Sequence, residues 1–269
     1  MQVLERERHN LILRFVEERS IVGVSDLVDL LSASEATIRR DIGTLAERGL
    51  VRRIRGGAEA TLPRHQSHLV GMPFALSNEI NVPQKRAIAR VAAALIEDGD
   101  SIIINGGTTT FGLVEHLIDH DLDILTNSFP IAAQLLTTSR NRITLPGGTL
   151  YREQNIVLSP FENDTTPHFW GHKLFIGCYG LNHQGLMEAD PLIVQAQSKL
   201  LRQTEKVIVM ADSSKLRRRS SMVVMELKDI ATVVTDDGAT KEEMKLLEGA
   251  GIEVLIARVE AKDRFQESA

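Results

Sequence analysis

The sequence of 269 residues contains a single cysteine, Cys178, and aromatic residues make up only 4% of it. One cysteine excludes an intrachain disulfide and is typical of a protein in a reducing compartment. No apolar run approaches the roughly 18 residues that a membrane-spanning helix needs. The first ten residues, MQVLERERHN, also lack the apolar core of a secretion signal. The sequence therefore predicts a cytoplasmic protein with no membrane partner.

Lysine is absent from residues 1–57, which contain 10 arginines and 9 acidic residues. The whole chain has a formal net charge of −5, which argues weakly against a nucleic-acid partner. Six of the arginines nevertheless fall between Arg39 and Arg55, where Asp41 and Glu47 are the only acids. Because an extended polyanion responds to the local potential, this segment is a candidate for binding nucleic acid.

Apolar residues recur at helical spacing in three segments of the first 57 residues. The second helix is predicted to begin near Val24-Ser25, with Ser25 as its N-cap, and the third to begin after Ser34 and to stop at Gly49. An arginine-rich strand follows and turns at Gly56-Gly57. Three helices and a basic hairpin are the layout of a winged helix-turn-helix.

The third predicted helix has an apolar face, formed by Ile38, Ile42 and Leu45, and an opposite face of small and basic side chains. That second face suits a DNA groove, since arginine pairs with guanine or with phosphate, and the basic strand adds contacts that position the protein. A solvated, salt-bridged face is the alternative, which the helix spacing and the basic strand disfavour. The predicted DNA contacts are Ser34, Ala36, Thr37, Arg39, Arg40, Arg52, Arg53 and Arg55.

From residue 100 onward, short β-branched runs alternate with helical stretches, which predicts βαβ units and a mostly parallel sheet. The predicted organisation is a winged helix-turn-helix domain over 1–58, a linker over 59–82 and an α/β domain over 83–260. The seven runs are SIIIN (101–105), DILTN (123–127), RITLPGG (142–148), KLFIGC (173–178), KVIVMAD (206–212), TVVTDD (232–237) and IEVLIA (252–257).

Polar and glycine-rich clusters follow the ends of several predicted strands. Ligands of open parallel sheets bind outside the carboxyl ends of the strands, so these clusters are expected to line one crevice. The segment NGGTTT precedes a predicted helix, where backbone amides and hydroxyls bind anions such as phosphate. The predicted crevice residues are Asn105, Gly106, Gly107, Thr108, Thr109, Thr110, Asn127, Gly147, Gly148, Tyr179, Asp212 and Lys215.

Less specific interpretations of these residues remain open. The glycines of NGGTTT suit a tight turn before a capped helix, PGG suits a plain turn, and Asp212 is of a type that often caps a helix. The 105–110 loop is neither a Walker loop nor a dinucleotide turn, so no nucleotide cofactor is predicted. His168 and His172 have no third clustered histidine or cysteine beside them, so no metal is predicted either.

The segment TIRRDIGTLAERGLVRRIRGGA (37–58) resembles the signature of the DeoR family of bacterial transcriptional regulators, with Ile42 where leucine is usual and Arg55 where histidine is common. The resemblance extends over nearly the whole chain. It implies an N-terminal winged helix-turn-helix and a C-terminal Rossmann-like α/β sensor domain similar in fold to ribose-5-phosphate isomerases.

The same resemblance assigns expected roles to particular residues. It makes Thr37, Arg39 and Arg40 the main DNA contacts. It implicates the 105–110 loop and Lys215 in holding a sugar phosphate. Lys85 matches a recurring family lysine, with a solvent-facing position on a helix as the alternative.

The chain departs from the family at two positions where an acid is common, since Asn105 and Tyr179 stand there instead. Glu188 and Asp190 remain nearby without forming an evident pair. Isomerisation through an enediol needs a positioned general base, so the departures weaken the hypothesis of an active sugar-phosphate isomerase with an accessory DNA-binding domain. Asn105 and Tyr179 make the chain similar to family regulators of the L-ascorbate type.

The resemblance therefore implies a non-enzymatic repressor of a carbohydrate catabolic operon. The expected partners are operator DNA and a phosphorylated sugar or sugar-acid effector. The sequence does not separate repression from activation. Because a helix-turn-helix unit usually reads two half-sites as a dimer, a homodimer or a tetramer is predicted.

Overall fold

The computed structural model describes residues 5–19, 21–31, 33–61, 73–159, 161 and 164–260. The chain divides into two compact units, and the division falls between residues 68 and 69. Residues 62–72 of the predicted linker lie outside the described residues. In the described ranges, no helix is both long enough and apolar enough to cross a membrane.

The N-terminal unit is a winged helix-turn-helix that contains one more strand than the sequence predicts. The strand order is β1-β3-β2, and both pairings are antiparallel. The first strand was missed because three residues are too few to show the alternation by which a strand is recognised. The elements are α1 (Glu5–Arg19), β1 (Ile21–Gly23), α2 (Val24–Leu31), α3 (Glu35–Glu47), β2 (Val51–Ile54) and β3 (Gly57–Ala60).

The ends of the helices test the predicted caps. Ser34 caps α3, because its hydroxyl accepts a hydrogen bond from the amide of Thr37 at 3.2 Å. Gly49, with φ of 70°, follows the end of α3 as predicted. Helix α2 begins at Val24, within the predicted start, but Ser25 does not cap it, because Ser25 is already its second residue.

A close approach of backbones fixes the small sheet. A Cβ atom on Gly57 would lie 2.0 Å from the carbonyl oxygen of Val22, so only glycine lets β3 pair with β1. The helices pack over this sheet through apolar side chains that are almost fully buried, among them Ile12, Phe15, Leu27, Ile38, Ile42 and Leu45.

In the described part of the C-terminal unit, a seven-stranded parallel sheet has the order β15-β14-β12-β9-β4-β5-β6. Each of the seven predicted runs overlaps one of its strands, so this part of the fold prediction is confirmed. The strands are β4 (Ser101–Ile104), β5 (Asp123–Thr126), β6 (Arg142–Thr144), β9 (Gly171–Ile176), β12 (Thr204–Met210), β14 (Thr232–Asp236) and β15 (Glu253–Ala257).

Two small antiparallel sheets, which the sequence did not predict, accompany the large one. One is the hairpin of β7 (Thr149–Tyr151) and β8 (Ile156–Leu158). The other joins β10 (Gly180–Asn182), β11 (Gly185–Glu188) and β13 (Met222–Met225). Their strands have three or four residues each, which again is too short for a recognisable period.

Helices cover both faces of the large sheet. Ile102 and Ile104 of β4 belong to the same buried cluster as Ile88 of α5, whereas Ile103 belongs to a second cluster with Leu200 of α8. Burial on both faces explains why the strands are continuously apolar rather than alternating. The helices are α4 (Phe74–Asn78), α5 (Val82–Ala93), α6 (Thr108–Phe111), α7 (Phe129–Thr138), α8 (Pro191–Leu201) and α9 (Lys241–Gly249).

Secondary structure is present at both ends of the predicted linker. Strand β3 extends to Ala60, α4 lies at Phe74–Asn78, and α5 begins at Val82. Strand β3 continues the winged helix-turn-helix at least to Ala60, two residues beyond the predicted end at 58. The domain boundaries 1–58, 59–82 and 83–260 otherwise stay a prediction.

Candidate functional site

Helix α3 buries its apolar face and leaves its opposite face open to solvent. The core positions Ile38, Ile42 and Leu45 are at most 2% exposed, as predicted. The structure thus places the predicted reading residues on one accessible face: Ser34, Ala36, Arg39 and Arg40 are exposed, and Thr37 is partly exposed.

A groove of about 280 Å³ lies between α3 and the β2–β3 hairpin. Arg39 of α3 lines it together with Arg53 and Arg55 of the hairpin. Three guanidinium groups around one concavity concentrate positive potential, as a phosphate backbone requires. Arg40 and Arg52 are exposed but lie outside the groove lining, so the structure brings together only part of the predicted arginine set.

Two of the predicted arginines have acidic partners. Arg39 donates to Glu35 with its Nε at 2.9 Å from the carboxylate, and Arg52 donates to Glu59. The salt-bridged interpretation of this surface is therefore correct for these two. Exposed pairs of this kind contribute only about 0–1 kcal/mol, so a DNA phosphate can replace the carboxylate at low cost.

Asp41 is a buried acid on the core side of α3, where it lies 3% exposed. Arg8 of α1 donates to it from Nε at 2.5 Å and from Nη2 at 3.0 Å, and Nε2 of His9 lies 3.0 Å from Oδ1. Burial alone would raise the pKa of Asp41, but the hydrogen bonds from Arg8 and His9 outweigh it and hold the pKa below its usual range. This ion pair fixes α1 to the reading helix.

Sequence reasoning missed this role, although a signal was present. Positions 38, 41, 42 and 45 follow the spacing of one helical face, so Asp41 occupies a core position between three apolar residues. An acid at such a position requires a buried partner. The partner lies 33 residues away in the sequence, which no local pattern reveals.

In the C-terminal unit, the predicted polar clusters follow four neighbouring strands of the sheet. Asn105 follows β4, Asn127 follows β5, Tyr179 lies after β9, and Asp212 lies after β12. The chain runs outward in one direction from β4 through β5 to β6, and in the other from β9 through β12 to β15. Such a switch point is where open α/β sheets bind ligands, so the strand order is consistent with the expected crevice, which stays a prediction.

Hydrogen bonds within the 105–110 loop occupy several of its groups. The amide of Gly106 donates to Oδ1 of Asn127 at 2.7 Å, and the hydroxyl of Thr110 donates to the carbonyl of Asn105 at 2.7 Å. Both donors stabilise the loop instead of facing a ligand. Residues 107–109 are the remaining candidates for contacts to an anion.

Lys85 of α5 enters this crevice and is only 7% exposed, so the solvent-facing alternative is wrong. Its ammonium donates to the carbonyl of Ser77. Burial lowers the pKa of Lys85 to about 7, a shift that Asp212 opposes and that Lys215 and Arg218 reinforce. A desolvated lysine of this kind gains from an anionic ligand.

Two further cations lie close to the Tyr179 ring. Nζ of Lys215 lies 5.9 Å from the ring centroid, and Cζ of Arg218 lies 5.7 Å from it. Burial lowers the pKa of Lys215, and the nearby Arg218 lowers it further. Arg218 was missed in the sequence, where it is one member of an Arg-Arg-Arg run that resembles an ordinary solvated surface.

Asp212 has the capping role that was one of its two predicted interpretations. It caps a short 3₁₀ turn, since Oδ1 accepts from the amide of Ser214 at 3.1 Å, and it also accepts from Nδ2 of Asn81 at 3.1 Å. Its charge also acts on Lys85 and Lys215. We interpret Asp212 as a residue that positions the cations.

Gly147 and Gly148 lie in the exposed turn that leads into β7. Gly148 has φ of 146°, and a Cβ atom there would lie 2.2 Å from the carbonyl oxygen of Leu158. The β7–β8 hairpin therefore accounts for this glycine. The two glycines keep their status as predicted contacts, but the plain-turn interpretation fits the geometry.

Glu188 supplies a carboxyl to the crevice that the sequence did not place there. It ends β11, is 9% exposed, and accepts a hydrogen bond from Nε2 of Gln197 at 2.9 Å. Burial raises the pKa of Glu188 to about 7, against the opposing effects of Gln197 and Lys215. Asp190, by contrast, caps α8 by accepting from the amide of Leu192 at 2.8 Å.

The chain was compared with known proteins. A model of the DeoR-like helix-turn-helix domain matches residues 8–63, and a model of the DeoR C-terminal sensor domain matches residues 80–237. The HTH-type transcriptional regulator UlaR of Shigella dysenteriae serotype 1 is 32% identical over 251 residues, which cover 93% of this chain and 98% of that protein. UlaR of Shigella sonnei is 33% identical over the same coverage.

Among solved structures, ribose 5-phosphate isomerase A from Methanocaldococcus jannaschii matches with a TM-score of 0.36 and 14% identity. The match covers 49% of this chain and 52% of that one. No statement about function follows from a likeness at this level.

The two domain models match in order along the chain, and the UlaR relatives, at 32% and 33% identity, match it over nearly its whole length. The predicted family is thereby confirmed: the chain belongs to the DeoR family.

Proposed function

We propose that this chain is a DNA-binding transcriptional repressor of a carbohydrate catabolic operon, and that a phosphorylated sugar or sugar acid bound in the crevice releases it from its operator. The DNA-binding part of this proposal rests on one observation, the groove that Arg39 of α3 lines together with Arg53 and Arg55 of the hairpin. The relatives, which are named transcriptional regulators, support the same function.

The proposed DNA contacts divide by position. Thr37, Arg39 and Arg40 lie on the helix that enters the major groove in helix-turn-helix proteins. We assign base reading to Thr37 and Arg40, and phosphate contact to Arg39, which lines the groove with the hairpin arginines. The exposed arginines of the hairpin suit phosphate contacts, which position the protein without reading sequence. Ser34, Ala36, Arg52, Arg53 and Arg55 complete the proposed surface. We also propose that the chain acts in the cytoplasm as a dimer or tetramer, because an operator of two half-sites requires two such surfaces.

The crevice supports an anionic effector through its charges. Lys85, Lys215 and Arg218 influence one another there, and Asp212 and Glu188 are the acids that act on them. The pKa values of both lysines lie below their usual value, so an anion that restores their charge binds favourably. We therefore propose that these cations and residues 107–109 hold the phosphate of the effector. The resemblance to regulators of the L-ascorbate type favours a sugar acid as the rest of that effector.

A second candidate is a sugar-phosphate isomerase activity, which one observation favours. A carboxyl with a pKa near 7, such as that of Glu188, is matched to general-base catalysis at neutral pH. The neutral Asn105 and Tyr179 at the positions of family acids argue against it. Incubation of purified protein with aldose and ketose phosphates, followed by NMR, is expected to show no conversion.

The proposed function is tested by gel shifts on the DNA upstream of the chain's own operon, combined with calorimetry on phosphorylated sugars and their dephosphorylated forms. A phosphorylated form is expected to release the operator and the dephosphorylated form to be inert. Thr109→Val and Lys215→Ala are each expected to weaken the response at least about tenfold, as the loss of a hydrogen bond to a charged group implies. Lys228→Ala removes an exposed lysine of the same unit and serves as the control. Equal binding of both forms, or normal responses in both crevice variants, contradicts the phosphate site.

A further inference from the structure

A directed chain of hydrogen bonds connects the 105–110 loop to Glu188. The amide of Gly106 donates to Oδ1 of Asn127 at 2.7 Å, and Nδ2 of Asn105 donates to the same oxygen at 3.5 Å. Nε2 of Gln197 then donates to Oδ1 of Asn105 at 3.4 Å and to Oε1 of Glu188 at 2.9 Å. The loop, β4 and α8 are therefore linked through buried amides.

This chain fixes the orientation of the Gln197 amide. Its nitrogen has two hydrogens, and the two acceptors, Asn105 and Glu188, use both of them. The opposite orientation would place its carbonyl oxygen against two other oxygens. The oxygen of the Gln197 side chain is consequently directed away from both partners.

That oxygen has no hydrogen-bond partner among the described residues, although Gln197 is only 1% exposed. A buried acceptor without a donor is costly, and folded proteins rarely retain one unless a ligand or water supplies the donor. Gln197 also lies one hydrogen bond from Glu188, whose carboxyl is itself buried. Gln197 thus provides a buried acceptor that lacks a partner in the described part of the chain, and its amide nitrogen contacts a second buried acceptor, Glu188, on which Lys215 acts.

We propose that Gln197 and Glu188 are the specificity residues of the effector site, and that they accept hydrogen bonds from hydroxyl groups of the carbon chain while the cations hold the phosphate. This inference rests on the proposed function, and it assigns the recognition of the sugar hydroxyls to two residues other than the cations that hold the phosphate. A hydroxyl that donates to Oε1 of Gln197 satisfies the buried acceptor. A second hydroxyl donates to the carboxylate of Glu188.

The charges around Glu188 are consistent with that role. Lys215 is the cation that acts on it, and Cys178 also interacts with it electrostatically. Arg218 and Asp212 act on Lys215 in turn. Burial raises the pKa of the Cys178 thiol to about 12, so the thiol is neutral at pH 7. Burial likewise raises the pKa of Glu188 to about 7, so a donor that favours the carboxylate form gains affinity as pH rises.

The test compares sugar phosphates with an alkyl phosphate that lacks hydroxyls. The probes are ribose 5-phosphate, xylulose 5-phosphate, gluconate 6-phosphate and n-pentyl phosphate, each measured by calorimetry on the full chain. Wild type is expected to prefer at least one hydroxylated probe over pentyl phosphate. That preference is expected to fall about tenfold or more in Glu188→Gln and in Gln197→Met. Lys228→Ala is the surface control, and pentyl phosphate binding shows that each variant is folded.

A pH series separates a direct contact from a structural role. For one sugar phosphate, the association constant of wild type is divided by that of Glu188→Gln at each pH. Titration of the ligand and of Lys85 affects both constants and therefore cancels in this quotient. It is expected to rise between pH 6 and pH 8, because only the wild type gains a carboxylate acceptor. Preferences that both variants retain, or a quotient that is flat with pH, overturn the specificity role alone. If pentyl phosphate equals every sugar phosphate in wild type, the inference also fails, and if no phosphate compound binds, the proposed function fails with it.

Discussion

Replacing Asp41 with alanine is expected to lower the free energy of unfolding of the N-terminal unit by about 3–5 kcal/mol, the usual cost of removing one partner from a buried ion pair. The change leaves the guanidinium of Arg8, whose side chain is 13% exposed, and the ring of His9 without their carboxylate. Since domains are stable by only about 5–15 kcal/mol, this loss is large enough to release α1 from α3. Operator binding is expected to fall with it.

The measurement is hydrogen exchange on the full chain, followed at the amides of α1 and α3, together with denaturant unfolding. Glu35→Gln is the matched control, because Glu35 forms an exposed pair with Arg39 on the same helix. Exposed helical pairs of this type contribute about 0.3–0.5 kcal/mol. Equal protection of the α1 and α3 amides from exchange in Asp41→Ala and Glu35→Gln would show that the Arg8–Asp41 ion pair does not hold the unit together.

The pH dependence follows from the lowered pKa of Asp41. A carboxyl whose pKa is lower in the folded state contributes stability above its unfolded pKa of about 3.9. That contribution is lost as the pH falls through the lowered folded value. The difference in free energy of unfolding between wild type and Asp41→Asn is therefore expected to be constant between about pH 7 and 5 and to shrink below about pH 4. A difference that grows on acidification contradicts the assignment.

Arg39→Ala and Arg40→Ala are each expected to weaken operator binding sharply while leaving the fold intact. Both side chains are exposed on α3, opposite the buried Ile38 and Ile42, so their removal creates no cavity. A lost bidentate base contact costs about 1–3 kcal/mol and relaxes specificity at one position. A lost phosphate contact instead lowers the salt slope by about one unit.

The structure distinguishes the two arginines. Arg39 lines the groove with Arg53 and Arg55, so we expect its loss, like the loss of either of those two, to change the salt slope. Arg40 lies outside the groove lining and is the stronger candidate for base reading. Titrations at several salt concentrations, on the operator and on mismatched DNA, measure both effects. Arg142→Ala, which removes an exposed arginine from the other unit, is the control. Unchanged affinity in both α3 variants would refute this helix as the reader.

Much of the fold could be predicted from sequence because its signals are local. The β-branched runs of the seven parallel strands and the Ser34 cap are visible within windows of a few residues. Strands of three or four residues, such as Ile21–Gly23, contain too little pattern, so β1 and the two small sheets were missed. Ser25 lies in the first turn of α2 and does not cap it, and the prediction was wrong because serine suits both positions.

The sites were predicted less completely, because burial and long-range pairing decide them. Asp41, Lys85 and Glu188 are polar residues whose importance comes from partners far away in the sequence. The glycines at 147–148 satisfied the same sequence rule as Gly106 and Gly107, yet the geometry of the β7–β8 hairpin accounts for them. Local composition identified the polar clusters at the strand ends, and only the fold shows which buried charged side chains interact with them.

The central claim, that the crevice controls DNA binding, is tested most directly by thermodynamic reciprocity. The affinity of the releasing phosphorylated sugar is measured by calorimetry on the full chain, once free and once saturated with operator DNA. If the ligand weakens operator binding by some factor, typically about 5–150, the operator must weaken ligand binding by the same factor. Equal factors are the predicted result. A sugar affinity that is identical with and without operator would contradict the account.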